Sequence, residues 1–353
     1  MTALRRGVNP AATCGALRFA VVKRLAALVA LAVVSASGDA VATSADPGWR
    51  RVEPGGKTAC ARGGEYAFWT RVRDPKRVVL FFQGGGGCFD QRTCAPGSEW
   101  FDDDVDANDD PTYAGGMLDV FEPRNPFRGW SWVFIPSCTG DVHVGDKRVR
   151  YGPTVVEQRG WQNARAALRW AFARFPRAES VLVTGCSAGS VGSAFHVPAV
   201  IARWPRARVT QLGDSLAFIF HRPVNLNDWG AHQHFPAFFR IGDRRFTMVE
   251  YLTKLARRYP ARRFARFNHA EDGVQQAFYG AVGGDPAGFE RRLRSAEETL
   301  KKQPNYRSYL ACGSGHCALP TPEFYSLRVG GVSLRDWVAR LAAGRNVSCP
   351  TCR

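Results

Sequence analysis

The sequence predicts an α/β fold: a mostly parallel sheet with helices on both faces. Continuous apolar runs of strand length recur, as in RVVLFFQ from Arg77 to Gln83, and a run apolar on both faces suits a strand covered on both sides. An amphipathic stretch, GWQNARAALRWAFARF from Gly160 to Phe175, carries apolar residues at helical spacing. Around it the chain alternates strand, helix and strand, the order from which parallel sheets are made.

Taken in order, the segment from Trp49 to about Tyr66 reads as short strands rich in Gly and basic residues. Arg77–Gln83 is the first central strand and stops at four glycines, Gly84 to Gly87. Ser131 to Pro136 is a second, ending near Cys138. The helix over 160–175 leads into SVLVTG and then into the turn Gly185-Cys186-Ser187-Ala188-Gly189. RVTQLGDS is a further short strand with Asp214 at its carboxyl end, and YRSYLA, before Cys312, is another. Between Phe218 and Phe267 the chain is aromatic and Arg-rich, with two expected helices, and is read as a candidate cap over 218–267. In such sheets ligands bind at the carboxyl ends of the strands.

The 353 residues are 45% hydrophobic and 12% aromatic, which supports a large core and excludes a disordered chain. The first 24 residues carry Arg5, Arg6, Arg18, Lys23 and Arg24 and no acid, and an apolar run from Leu25 to Ala36 follows. Residues 1–42 therefore read as a secretory signal peptide, with one domain over 43–353 and a secreted or periplasmic destination. No later stretch approaches the roughly 20 apolar residues of a membrane span. The formal charge of +17 falls by five basic residues and one acid on cleavage, and the rest stays strongly basic. That balance favours anionic surroundings such as an acidic polysaccharide. Of the 48 basic residues 41 are Arg, spread along the chain, and no nucleic-acid motif accompanies them. Nucleic acid is not expected as a partner, and a monomer is expected.

With export, most cysteines should pair. Short spacings suggest Cys88 with Cys94, Cys312 with Cys317 and Cys349 with Cys352, leaving Cys60 with Cys138 and Cys186 as the odd thiol. No metal site is expected. Asp102, Asp104, Asp106 and Asn108 alternate as in a calcium loop, but Ala107 stands where glycine is needed and Tyr113 where the closing Glu is needed. His232 and His234 lack companions, and Cys349-Pro-Thr-Cys352 lacks a second ligand pair.

The chemistry centres on Ser187. G-x-S-x-G is the strand-to-helix turn that exposes a serine hydroxyl in α/β-hydrolases, and its glycines answer the tightness of that turn. A serine attacking a carbonyl needs donors for the developing oxyanion and a base for its proton. The glycine loop after the first central strand, with the N–H of Ala188, supplies candidate donors. A base late in the chain suits the order serine, acid, histidine, and His316 in CGSGHCALP sits between two cysteines that can fix its loop. Asp272, about 40 residues before it, is the preferred orienting acid, with Asp214 as the alternative.

These residues resemble the pectin acetylesterase and Notum family of secreted serine carboxylesterases. The likeness is carried by LFFQGGGGCF, NPFRGWSWVFIPSCTGDVHVGD, VLVTGCSAGS, the Asp of AEDGVQQAF and the His of GSGHCAL, in the family's order. It implies an α/β-hydrolase fold with neither metal nor organic cofactor. Carried over by position, it makes Ser187 the nucleophile, Asp272 the acid, His316 the base, and Gly86, Gly87 and Ala188 the oxyanion donors. Two positions depart from the pattern: Gly87 stands where an aromatic residue is common, and Ser137 replaces a tyrosine. The resemblance implies an ester substrate, with an O-acetyl ester of a polysaccharide such as pectin as the first reading. The alternatives are a lipase-like or polyester-cleaving hydrolase and a secreted binding protein of the same fold without turnover.

Overall fold

The computed structural model describes residues 48–218, 226–239 and 246–352; the expected signal peptide, 1–42, lies outside them. Two short strands, β1 (Arg50–Val52) and β2 (Phe68–Arg71), lead to β3 (Asp74–Phe82) and β4 (Trp130–Ile135). A hairpin of β5 (Lys147–Tyr151) and β6 (Thr154–Gln158) precedes α1 (Gly160–Arg174), β7 (Ser180–Cys186), α2 (Ala188–Arg203) and β8 (Arg208–Asp214). The second half adds α3 (Met248–Arg258), β9 (Arg263–His269), α4 (Gly273–Ala281), α5 (Phe289–Leu300) and β10 (Tyr306–Ala311). It closes with α6 (Glu323–Ser326), the small pair β11 (Arg328–Val329) and β12 (Val332–Ser333), and α7 (Leu334–Ala342).

The main sheet has eight strands in the order β1-β2-β4-β3-β7-β8-β9-β10, and every neighbouring pair from β4 to β10 is parallel. Alternation along the strands divides the core. Val78, Leu80 and Phe82 point into a layer shared with α1, α2 and α3, while Val79 and Phe81 point to the opposite layer with Trp337 and Leu341 of α7. Each fully buried aliphatic or aromatic side chain of this kind contributes about 1.5–3 kcal/mol. That two-sided burial is why the strands read as unbroken apolar runs. Because the strands are parallel, Asp214 at the end of β8 lies on the same edge as Gln83, Ser187, Asp272 and His316, which follow strand ends.

The span expected to form a cap is described at 218, 226–239 and 246–267. Among its described residues it holds one regular helix, α3, and from Arg263 it is already β9 of the main sheet. Its aromatic residues turn inward: Phe235, Phe246 and Tyr251 pack on Phe195 of α2 with ring centroids 4.5–5.6 Å apart. That part of its aromatic density is core packing.

Four disulfides cross-link the described residues. Cys88–Cys94 forms as the spacing suggests, and Cys60–Cys138 as the pair left over. The remaining expectations are corrected: Cys312 bonds Cys352, Cys317 bonds Cys186, and Cys349 rather than Cys186 is the free thiol. Strand order explains this, since the loop after β10 returns across the ends of β9 and β8 to the end of β7. Short spacing in the sequence carries no information about that path. Beyond α7 the chain returns to β10, where Leu310 N–H donates to Pro350 O and Cys352 N–H donates to Leu310 O, both at 2.9 Å.

Candidate active site

Ser187 occupies the turn between β7 and α2 with φ 54° and ψ −122°, a conformation that few non-glycine residues adopt. Its N–H donates to Asp214 O at 2.9 Å, which locks the turn to the end of β8. The flanking glycines are needed for space. A Cβ on Gly185 would lie 2.5 Å from Phe82 O, and one on Gly189 would meet the Phe82 and Gln83 carbonyl oxygens. Such strain persists where the surroundings over-determine it, and it presents the side chain at the sheet edge.

His316 lies in the loop after β10, and its Nδ1 is 2.8 Å from both carboxylate oxygens of Asp272. Asp272 is fully buried as the N-cap of α4. Gln275 N–H donates to its Oδ1 and Gln275 Nε2 to its Oδ2, each at 2.9 Å. Burial opposes charge on Asp272, but the bond to His316 and those from Gln275 hold its carboxyl below the usual carboxylate range. Gln275 in turn accepts from Ala217 N–H at 2.7 Å. Sequence reading missed Gln275, although Asp272-Gly-Val-Gln275 is the D-x-x-Q spacing of a capping motif.

Asp214, the alternative acid, does something else. Its Oδ2 accepts Leu319 N–H at 2.7 Å, and Ser215 Oγ accepts Cys317 N–H at 2.9 Å. It therefore holds the histidine loop from below, while the ring's own hydrogen bonds go to Asp272. Burial pushes the Asp214 carboxyl up to about 7, against the Leu319 N–H and the nearby His316.

The glycine loop lies opposite. Gly86 has φ 67° and a Cβ there would meet the Trp100 carbonyl, so only glycine fits. No backbone carbonyl in the described residues takes up the N–H of Gly86 or Ala188. Gly87, expected as a third donor, is corrected here: its N–H donates to Trp100 O at 3.0 Å. The loop runs as a bridge, Gly86 against Phe101, and that pairing consumes the Gly87 N–H. His143 is a buried support of this loop. Its Nε2 lies 2.9 Å from Gln83 O, and burial drives its pKa down to about 4, so the ring is neutral and donates.

Gly86, Gly87, Ser187, Ala188 and His316 line one cleft with about 630 Å³ of empty space including its open mouth. The rest of the wall is mainly apolar: Phe89, Val142, Val191, Leu216, Phe218 and Trp229 contribute to it. The other sequence candidates go elsewhere. Asp106 and Asp109 cap the turn that contains them, and Asp109 also accepts Gln83 Nε2 at 2.7 Å. His234 pairs with Asp146 at 2.8 Å and stacks on Trp161. Among the described residues, the cluster of potential metal ligands is Cys186, His316 and Cys317. Both sulfurs are bonded to each other and are not thiolate donors.

A family model described as Pectinacetylesterase matches residues 56–248. No curated protein matches the chain. Among solved structures, one crystal form of the Wnt deacylase Notum from Drosophila superposes with TM-score 0.57 at 16% identity, covering 88% of this chain and 98% of Notum. A second crystal form gives TM-score 0.59 at 15% identity, covering 87% and 97%. At that identity the likeness establishes a Notum-like α/β-hydrolase fold.

Proposed function

The chain belongs to the pectinacetylesterase family, a family of carboxylic-ester hydrolases, and from that premise we propose that Ser187, His316 and Asp272 form its hydrolytic triad. One observation carries the proposal: the Asp272–His316 pair opens into the same cleft as a strained serine whose turn is locked to β8. Ser187 Oγ attacks the ester carbonyl and His316 Nε2 takes its proton, through a hydrogen bond of the kind that is often long in the free enzyme and made in the substrate complex. Asp272 fixes the ring by holding Nδ1–H and stabilises the imidazolium that forms. Gly86 and Ala188 N–H groups receive the oxyanion. The imidazolium returns the proton to the departing alcohol, and water activated by the same ring releases the acid.

The first substrate reading is an O-acetyl ester of a polysaccharide, consistent with the basic composition. The cleft also supports a second reading, a longer acyl group, because its wall is mainly apolar. Four disulfides support function in an oxidising compartment outside the cytoplasm.

The test is hydrolysis of p-nitrophenyl esters from acetate to palmitate, beside acetate release from acetylated pectin, with wild type and Ser187→Ala. Wild type is expected to turn over and to bind a fluorophosphonate probe covalently. Ser187→Ala should lose at least about 1000-fold in kcat and all labelling. Retained turnover or labelling in that variant overturns the triad. A peak at acetate supports the deacetylase reading, and a peak at longer chains the second.

A further inference from the structure

We propose that the Cys186–Cys317 disulfide positions the catalytic base against the nucleophile. The inference rests on the triad reading above. The bond joins the residue before Ser187 to the residue after His316 across a separation of 131 residues, with the two Cα atoms 5.5 Å apart. Nucleophile and base are each one residue from the same covalent link.

The two ends differ in how they are held. Cys186 is the last residue of β7, paired in register with Asp214 of β8, and its neighbour Gly185 pairs with Phe82 of β3. This end is set by the centre of the sheet. The histidine loop is held at its margins: Glu271 N–H reaches Gly313 O and Gly273 N–H reaches Ser314 O on one side, and Ser215 Oγ and Asp214 Oδ2 hold Cys317 and Leu319 on the other. Between them, Gly315 and His316 make no backbone-to-backbone hydrogen bond among the described residues, and Gly315 is held through its backbone by the His269 ring. Asp272 sets the ring's orientation, but it stands after β9 and does not fix the distance to Ser187. The disulfide does so directly, by tying the loop to the strand that carries the serine. The bonded sulfurs also lie within 4.8 Å of a ring nitrogen of His316, so they form part of the surface on which the ring rests. As a disulfide, that surface is uncharged.

The experiment compares three variants of the mature protein: Cys186→Ala/Cys317→Ala, Cys186→Ala/Cys317→Val, and Cys60→Ala/Cys138→Ala. The last removes a cross-link of 78 residues elsewhere, and closure entropy varies only with the logarithm of separation, so similar losses of thermal stability are expected. Well below every melting point, the Cys186/Cys317 variants should lose about 100-fold in kcat, as for an ångström-scale misplacement, with KM changed less than about threefold. Fluorophosphonate labelling should slow in parallel, and Cys60→Ala/Cys138→Ala should keep wild-type kcat. Unchanged kcat without the Cys186–Cys317 bond overturns the inference. Recovery of kcat in the Val variant does so too, since packing alone would then suffice. If those variants do not fold, folded wild type is reduced with a phosphine and the free thiols are mapped after acid quench. Turnover should fall as Cys186 and Cys317 appear as thiols, and full turnover with both free overturns the inference. Serine-dependent labelling of wild type separates the two claims, because its absence sinks the triad and the inference together.

Discussion

Gly87 is the residue through which the size of the cleft can be tested most directly. It lines the cleft, its φ is outside the left-handed region, and a Cβ added there would meet only Gly140 O at 3.6 Å, an ordinary contact. The backbone therefore accepts a side chain, unlike Gly86 next to it. Gly87→Phe would project a ring into the cleft beside Ser187. If the ring displaces room for about four methylenes of an acyl chain, at about 0.8 kcal/mol each, the loss is about 3 kcal/mol. That corresponds to ~100-fold or more in kcat/KM for octanoate and longer esters. Acetate, which does not reach that depth, should change less than about threefold. The assay is kcat/KM across the p-nitrophenyl series for wild type and variant, with melting temperature as a control. The melting temperature should hold or rise slightly, because replacing Gly at a compatible position restricts the unfolded chain. A uniform loss across all chain lengths would refute the reasoning and place Gly87 in the catalytic step rather than in the acyl wall.

A pH experiment isolates Asp214, whose carboxyl burial raises to about 7 from its ordinary value near 4. A raised acid keeps its proton in the native state, so its contribution to stability falls as pH rises through that window and is flat above it. Three units correspond to at most about 4 kcal/mol. Buried His143 and His196, lowered to about 4 and about 3, act in the opposite sense on the acid side, so the difference between Asp214→Asn and wild type is the quantity to measure. The variant should lose less stability between pH 5 and 8 in thermal melts, and parallel curves would refute the assignment. The second prediction concerns Arg266 and Glu297, a fully buried pair 2.9 Å apart with Tyr306 bridging them. Glu297→Gln leaves the guanidinium uncompensated and should cost about 3–5 kcal/mol in denaturant unfolding with kcat unchanged below the transition. A loss under about 1 kcal/mol would show that Tyr306 and the Leu216 carbonyl suffice for the arginine.

The strands were legible because burial on both faces leaves an unbroken apolar run, and YRSYLA is observed as β10 over the same residues. The turn at Ser187 was legible because it leaves no room for a side chain at Gly185 or Gly189. The cysteine pairing was not, since Cys186 and Cys317 meet through a loop path set by strand order. The aromatic span after Phe218 was legible only as apolar: Phe235, Phe246 and Tyr251 pack on Phe195 while Phe218 and Trp229 line the cleft, a division that composition does not mark. Gly87 was misjudged as a donor because its N–H is claimed by Trp100, a pairing that depends on a bridge between two loops. The supports of the site, His143, Gln275 and Asp214, act through contacts across strand ends that no local pattern marks, apart from the capping spacing at Gln275.

The chain's return to β10 after α7 has a consequence for life among other molecules. A terminal strand of a sheet exposes unpaired amides and carbonyls on which a foreign strand can assemble. Here Pro350 and Cys352 occupy the two groups of Leu310, and the bond from Cys352 to Cys312 anchors the cover to the strand's own end. The cover is thus built into the same polypeptide and cannot diffuse away. Occupying Leu310 removes that docking point from the flank and so discourages stacking of neighbours into fibres.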